Sequence, residues 1–128
     1  MEFNGNRSIY LQLSDSVCEK ILRRALREGD KIPSVREMAV ETEVNPNTVM
    51  RSYSYLQDRG IIHNQRGIGY FVSEGAHERT REMKTEEFVQ NELPRVFHTM
   101  DLIAMSLEEF TQQYLEYVRE RKNHEGDK

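Results

Sequence analysis

Two short helices in direct succession most restrict how this chain can fold. Ser34 is followed three residues later by Glu37, which is the spacing of a capping box at the start of a helix. Asn45 is an N-cap residue type, Pro46 favours the first position of a second helix, and Gly60 is typical of a residue just after a helix end. Only a few residues separate the two helices. So tight a connection predicts a helix-turn-helix.

A longer helix is predicted before this pair and a β-hairpin after it. Apolar residues at steps of four predict a helix over residues 8–27, with its stripe at Leu13, Val17, Ile21 and Ala25. Two short β-prone runs, at 61–64 and 70–72, flank a turn that contains Gly67, which is typical of a hairpin. The order helix, helix, helix, hairpin predicts a winged helix-turn-helix domain over residues 8–73.

The rest of the chain predicts a helical tail over residues 76–121. Residues 76–100 are charged and favour a helix, which Pro94 should kink or interrupt. The Ser-Leu-Glu-Glu run at 106–109 has capping-box spacing and predicts a last helix that reaches the end of the tail. The predicted fold class is mainly α with a β-hairpin, in which the winged helix-turn-helix precedes a short two-helix dimerisation tail.

The distribution of charge keeps nucleic acid open as a partner. The net charge of the 128 residues is −4, but residues 1–75 hold ten basic and ten acidic side chains, so all of the net acidity lies after them. Within residues 45–73, three arginines stand against one aspartate. A partner that contacts one face responds to that local balance rather than to the sum over the whole chain.

Composition argues against several other classes of protein. No apolar run approaches the roughly 18 residues of a membrane-spanning helix, and we expect no secretory signal. The single cysteine, Cys18, has no partner for a disulfide within the chain, and a cytoplasmic location is expected. The histidines lack zinc-site spacing and no catalytic motif is present, so we expect no metal, no cofactor and no enzyme activity.

An ordered series of motifs along residues 8–73 resembles the GntR family of bacterial transcription regulators. The motifs are KIPSVREMA from residue 31, VNPNTV from residue 44, GII from residue 60 and RGIGYFV from residue 66. The form of the third helix and the short tail are similar to the YtrA-like branch. Many family members have arginine at the positions of Pro46 and Met50, so their pattern of base reading is not carried over. Glycine often precedes the last helix, where this chain has Ile-Ala-Met at 103–105.

The resemblance implies a homodimeric, DNA-binding repressor of a palindromic operator, with the third helix in the major groove and the wing near the minor groove. YtrA-like regulators often control transporter operons, which makes such an operon one candidate target. The predicted DNA-binding residues are Ser34, Arg36, Asn45, Asn47, Thr48, Arg51, Gln65, Arg66 and Gly67.

The chemistry of these side chains suits DNA, although each has a simpler interpretation. Arg36 can bind a phosphate through two hydrogen bonds, or be a solvated arginine near a helix start. Asn47 can read adenine, and Arg51 shares its helix face one turn later, unless Arg51 only forms a surface salt bridge. Asn45 can be a cap alone or also contact DNA. Arg66 can place its cation in the minor groove or against the backbone.

The tail carries more apolar side chains than two lone helices can cover. The predicted dimer-interface residues are Val89, Leu93, Val96, Phe97, Met100, Phe110, Tyr114 and Val118. We expect a dimer because a reader of a palindrome needs two recognition helices about 34 Å apart, and packing onto the chain's own winged domain is the alternative. Four helices across a dimer can also enclose a small pocket, so an unknown small-molecule effector stays open.

A second function class competes with DNA binding. A winged-helix module that binds protein and has lost DNA would suit the neutral sum over residues 1–75. The arginines at positions 36, 51 and 66 argue against that alternative, because they match DNA-facing positions of the family.

Overall fold

Three helices pack around one apolar core in a computed structural model that describes residues 7–126. Helix α1 spans Ile9–Leu22, α2 spans Val35–Thr42 and α3 spans Pro46–Asp58. The helix-turn-helix is formed by α2 and α3, as predicted. The largest side chains that the three helices bury are Leu13, Val17, Ile21, Met38, Val49, Tyr53 and Leu56.

The predicted starts of α2 and α3 are confirmed by their hydrogen bonds. The Ser34 hydroxyl accepts from the Glu37 backbone N–H, and the Ser34 N–H donates to the Glu37 carboxylate, both at 3.1 Å. The Asn45 side-chain oxygen accepts from the Asn47 N–H at 2.8 Å. Gly60, with φ of +72°, follows the end of α3 in the left-handed conformation expected there.

Helix α1 ends at Leu22 instead of near residue 27, so its predicted C-terminal end was wrong. Arg24 adopts a left-handed φ of +64°, and the backbone N–H groups of Ala25 and Leu26 both donate to the Lys20 carbonyl. This turn takes Ala25 out of the apolar stripe and leaves it exposed. Leu26 packs against the core in its place.

The hairpin belongs to a three-stranded antiparallel sheet. Strand β1 spans Lys31–Ile32, β2 spans Ile62–Gln65 and β3 spans Gly69–Val72. The central strand is β3, which pairs with β1 on one side and with β2 on the other. Ile32 opposes Tyr70 in the first of these pairs. Strands β2 and β3 were predicted, whereas β1 has only two residues and no pattern of its own.

The chain divides between residues 85 and 86 into two compact units. Helix α4 spans Ala76–Glu87, and its residues Ala76 and Thr80 are buried while Met83 packs against the core. The first ten residues of the expected 76–121 tail therefore belong to the first unit. Their apolar contacts explain why the division falls inside α4 rather than before it.

The second unit contains a π-helical segment and two further helices. The π-helical segment spans Phe88–Glu92, α5 spans Leu93–Ile103 and α6 spans Leu107–Gly126. Pro94 lies in the first turn of α5, which directly follows the π-helical segment. At this position the missing backbone N–H of proline costs the helix little. Ala104, with φ of +55°, ends α5 in the left-handed conformation that glycine often supplies. Helix α6 extends past its predicted end.

Candidate nucleic-acid interface

The outward face of α3 is a surface of exposed side chains in a helix that is otherwise well buried. The inward face of α3 consists of Val49, Ser52, Tyr53 and Leu56. Positions three and four residues apart share a helix face, so a second set of four lies opposite the core. Its members, all exposed, are Asn47, Met50, Arg51 and Ser54. The helix thus presents polar, cationic and apolar chemistry on one side.

Buried hydroxyl groups fix α3 against α1. The Ser14 and Ser52 hydroxyls lie 2.7 Å apart, and both side chains are buried. The Ser14 hydroxyl donates to the Tyr10 carbonyl at 2.8 Å, so the Ser52 hydroxyl is the donor between the two serines. A buried polar contact of this kind has a narrow geometry, so it sets the rotation of α3 relative to α1.

Aromatic rings hold the arginines on the α1 side of α3. The Arg51 guanidinium lies over the Tyr10 ring, 4.0 Å from its centroid. The Tyr10 and Tyr55 rings meet edge to face at 6.1 Å, and the Arg59 guanidinium lies 3.7 Å from the Tyr55 centroid. Contacts of this type are worth about 0.5–1 kcal/mol at exposed sites. They restrict the arginine side chains and leave their charge at the surface.

The wing is attached to the opposite side of α3. The Tyr70 hydroxyl of β3 lies 3.9 Å from the Met50 sulfur, to which it donates a weak hydrogen bond. The Tyr70 ring also packs edge to face on the buried Tyr53 ring, with centroids 4.9 Å apart. These two contacts place the hairpin beside the outward face of α3.

The tip of the wing is exposed and contains the predicted Arg66 and Gly67. Gly67 has φ of +79° and Gly69 has φ of +140°, so both positions favour glycine. The Gln65 amide nitrogen lies 3.2 Å from a ring nitrogen of His63, which orders the strand just before the tip. Arg66 therefore extends from a hairpin whose base is well defined.

The start of α2 is tied to α3 by one hydrogen bond. The buried Tyr53 hydroxyl donates to the Pro33 carbonyl at 2.6 Å. Burial, together with the nearby Glu41 carboxylate, raises the pKa of the Tyr53 phenol above its usual value. The hydrogen bonds from Ser34 lower the pKa of Glu37. Both groups consequently keep the protonation states that these bonds need at neutral pH.

The predicted DNA-binding residues differ in how available their side chains are. The exposed members are Arg36, Asn45, Asn47, Arg51, Gln65, Arg66 and Gly67. Ser34 and Thr48 are partly buried, and the Ser34 hydroxyl serves as the α2 cap. Sequence reasoning missed Met50, Tyr10 and Tyr70 as members of this surface. The spacing of Met50 from Asn47 could have indicated it, whereas the two tyrosines are located only by contacts distant in sequence.

The predicted dimer-interface residues all lie in the second unit, where Leu93 and Val118 are partly buried. Val96, Met100 and Phe110 line a cleft of about 420 Å³ between α5 and α6. The exposed members are Val89, Phe97 and Tyr114. Further exposed apolar side chains, outside the predicted set, are Phe88, Leu102, Ile103, Leu107, Leu115 and Tyr117. Among residues 86–125, no side chain is buried. The second unit thus has apolar surface without a core of its own.

Neither a metal site nor a membrane-spanning helix is present in the described part of the chain. No group of three or more histidine, cysteine, aspartate or glutamate side chains within residues 7–126 is arranged to hold a metal ion. No helix in that range combines the length and the apolar character needed to cross a membrane.

Comparison with known proteins places the chain among bacterial regulators. The family described as "Bacterial regulatory proteins, gntR family" matches residues 9–72. The chain is 47% identical over 75 residues to the HTH-type transcriptional regulator YhcF of Bacillus subtilis, covering 59% of this chain and 62% of that protein. It is 44% identical over 68 residues to the HTH-type transcriptional repressor YtrA of the same organism, covering 53% and 52%. The matches thus span less than two thirds of either relative.

A solved structure resembles nearly the whole chain. It is described as a putative transcriptional regulator of the GntR family from Bacteroides thetaiotaomicron, and its sequence is 40% identical. The TM-score is 0.73, and the match covers 89% of this chain and 99% of that one. The similarity therefore extends beyond the winged domain.

Proposed function

Because the chain belongs to the GntR family of bacterial regulatory proteins, we propose that it is a homodimeric repressor that binds a palindromic DNA operator. It is a transcription regulator with a DNA-binding winged helix-turn-helix, and its relatives are transcription regulators rather than enzymes. One observation carries the proposal: the outward face of α3 exposes Asn47 and Arg51, with the start of α2 and the wing attached to the same helix.

The side chains at this surface divide into readers of sequence and binders of phosphate. Asn47 lies in the first turn of α3 with its side chain exposed, where it can form two hydrogen bonds to an adenine edge. Arg36 in α2 and Arg66 at the wing tip flank α3, where arginine suits backbone phosphates. We therefore assign Asn47 and Arg51 to the major groove, and Arg36 and Arg66 to the backbone or minor groove.

A pair of substitutions tests this division of roles. Asn47→Ala should change the operator sequence that the protein selects, because a lost base contact costs about 1–3 kcal/mol at one base-pair position. Arg36→Ala should weaken binding to all sequences alike, with the preference intact. The assay is competition among DNA duplexes with randomised half-sites, and circular dichroism verifies that both variants fold. A changed preference with Arg36→Ala alone would reverse the assignment.

The dimer is proposed from the second unit. None of its side chains in the range 86–125 is buried. Large aromatic side chains are among the exposed ones, since Phe97 is 53% and Tyr114 is 60% exposed. Burial of apolar surface stabilises a fold by about 25 cal/mol per Å². Two helices without a core of their own therefore gain stability when another surface covers their apolar side chains. A second copy supplies that surface and also brings a second α3 to a palindromic site.

The double variant Phe97→Asp plus Tyr114→Asp tests the dimer. We expect monomers by light scattering and much weaker operator binding, because two buried carboxylates oppose association. The matched control is Glu108→Asp plus Glu116→Asp, which alters exposed positions of α6 without changing their charge and should remain dimeric. A folded double variant that stays dimeric would place the interface elsewhere.

We propose the cleft between α5 and α6 as the site of a small-molecule effector. Its volume of about 420 Å³ is in the usual range for small-molecule sites, and its lining combines apolar residues with Arg95, Thr99 and Gln113. A thermal-shift screen of metabolites should find a compound that stabilises the wild type but not Met100→Trp, which fills the cleft. YtrA-like regulators often control transporter operons. The first compounds to include in the screen are therefore substrates of a transporter encoded nearby.

A further inference from the structure

Met50 is an apolar side chain on the surface assigned to DNA. It lies on the outward face of α3, one turn after Asn47 and directly before Arg51. Its side chain is 47% exposed, so it fills no core position. The inward face of the same helix is complete without it.

The wing holds this methionine in place. The Tyr70 hydroxyl lies 3.9 Å from the Met50 sulfur, and the Tyr70 ring is itself packed on the buried Tyr53. Methionine has three rotatable side-chain bonds, so such a contact reduces the conformational entropy that binding would otherwise cost. The exposed remainder of the side chain is therefore an ordered apolar surface beside two polar readers.

We propose that Met50 is a specificity-determining residue that contacts the C5-methyl group of a thymine in each operator half-site. The inference rests on the proposed function, since it requires the outward face of α3 to enter the major groove. Among the base edges in that groove, the thymine methyl is the apolar group, whereas the other edges offer hydrogen-bond donors and acceptors. A methionine at this position thus favours thymine over cytosine, while Asn47 and Arg51 read neighbouring positions through hydrogen bonds.

Deoxyuridine provides a direct test because it removes the methyl group and leaves base pairing unchanged. The wild type first selects an operator from a pool of random duplexes, and each thymine is then replaced singly by deoxyuridine. At one position in each half-site we expect the affinity of the wild type to fall about fourfold, which corresponds to about 0.8 kcal/mol for one buried methyl group. Replacing both symmetry-related thymines should multiply the two effects.

Protein variants then connect that position with Met50. Met50→Ala should bind the thymine and deoxyuridine operators equally, and Met50→Leu should keep the preference for thymine because it keeps an apolar side chain. Val40→Ala is the matched control, since Val40 is an apolar residue of α2 that is 76% exposed and lies off this face. It should show the wild-type response.

The outcomes separate this inference from the proposed function. If the wild type selects an operator but no deoxyuridine substitution weakens binding, or if the penalty persists in Met50→Ala, the role of Met50 is wrong and the repressor assignment stands. If the wild type selects no DNA sequence at all, the proposed function fails and the inference fails with it.

Discussion

Removing one hydroxyl group, in Tyr53→Phe, should destabilise the winged domain measurably. The Tyr53 side chain is fully buried, and its hydroxyl donates to the Pro33 carbonyl at 2.6 Å, just before α2 begins. Phenylalanine preserves the ring, its apolar burial and its contact with Tyr70. The substitution therefore isolates the hydrogen bond that ties the start of α2 to α3.

The expected cost follows from the fate of the Pro33 carbonyl. A hydrogen bond contributes about 0.5–1.5 kcal/mol net, and a buried acceptor left without a donor costs about 1–3 kcal/mol. Because Pro33 is only partly buried, water can partly replace the lost donor, so we expect a loss of about 1–2 kcal/mol. In a domain of this size, 1 kcal/mol lowers Tm by about 4–8 °C.

The same hydroxyl predicts a dependence on pH. The pKa of Tyr53 is raised in the folded protein, whereas the pKa of a tyrosine in an unfolded chain is about 10. The stability from the neutral phenol is thus fully present below about pH 10. Above that value the unfolded chain releases the proton first, and the free energy of unfolding falls by about 1.4 kcal/mol per pH unit. Tyr53→Phe lacks this contribution, so its disadvantage should shrink at alkaline pH.

Thermal and urea unfolding, followed by circular dichroism between pH 7 and 11, measure both effects. Tyr117→Phe is the matched control, because it removes a hydroxyl group from a side chain that is 62% exposed, and it should leave Tm unchanged. Equal stability of Tyr53→Phe and the wild type at pH 7 would show that the bond to Pro33 contributes nothing. A constant difference across the alkaline range would refute the role given to the raised pKa.

Three further predictions concern packing, backbone strain and DNA. Thr80→Val should increase the free energy of unfolding by about 1 kcal/mol and so raise Tm, because the buried Thr80 hydroxyl has no hydrogen-bond partner among the described residues. A lower Tm in calorimetry would contradict this. Gly69→Ala should cost about 1–2 kcal/mol in urea unfolding, because φ of +140° strains any L side chain, whereas the flexible end of the Lys31 side chain can move away from the new Cβ; an unchanged midpoint would argue against it. The plot of log affinity against log salt concentration should have a slope steeper than about −4, from about −0.9 per neutralised phosphate, and a slope near zero would favour the protein-binding alternative.

Local signals in the sequence were sufficient for the helix-turn-helix. The capping box at Ser34 and Glu37, the Asn45 cap and the stop at Gly60 act within one turn of the chain, so their effect needs no tertiary context. Strand β1 has no such signal. Lys31 and Ile32 form a strand only because β3, far along the chain, pairs with them through hydrogen bonds. The residue types of this pair alone do not predict that pairing.

The end of α1 shows how a periodic pattern can mislead. The apolar steps of four continue through Ala25, yet Arg24 turns left-handed and Leu26 takes the place in the core. Burial of Leu26 removes more apolar surface from water than burial of Ala25 would, which favours this turn. Periodicity alone weights both residues equally and cannot make that choice.

The exposure of the polar side chains at the candidate site could be predicted from the sequence, whereas the side chains that support them could not. Arg36, Asn47 and Arg66 were selected by residue type together with the resemblance to the GntR family, and all three side chains are exposed. Tyr10 and Tyr70 matter through contacts with Arg51 and Met50 that join separate elements. In the sequence, Tyr10 and Tyr70 do not differ from the other tyrosines. They belong to this surface only because α1 and the wing pack on α3.

The two units differ in what stabilises them, and this difference bears on regulation. The first unit has a core of its own, which includes Ala76 of α4, whereas residues 86–125 bury no side chain. If a second copy supplies the missing contacts, as proposed, order in α5 and α6 depends on the concentration of protomers. Operator binding then depends on concentration too, because two α3 helices must be joined before they can occupy two half-sites. A ligand in the α5–α6 cleft needs to change only the stability of that contact, without altering Asn47 or Arg51, to control repression.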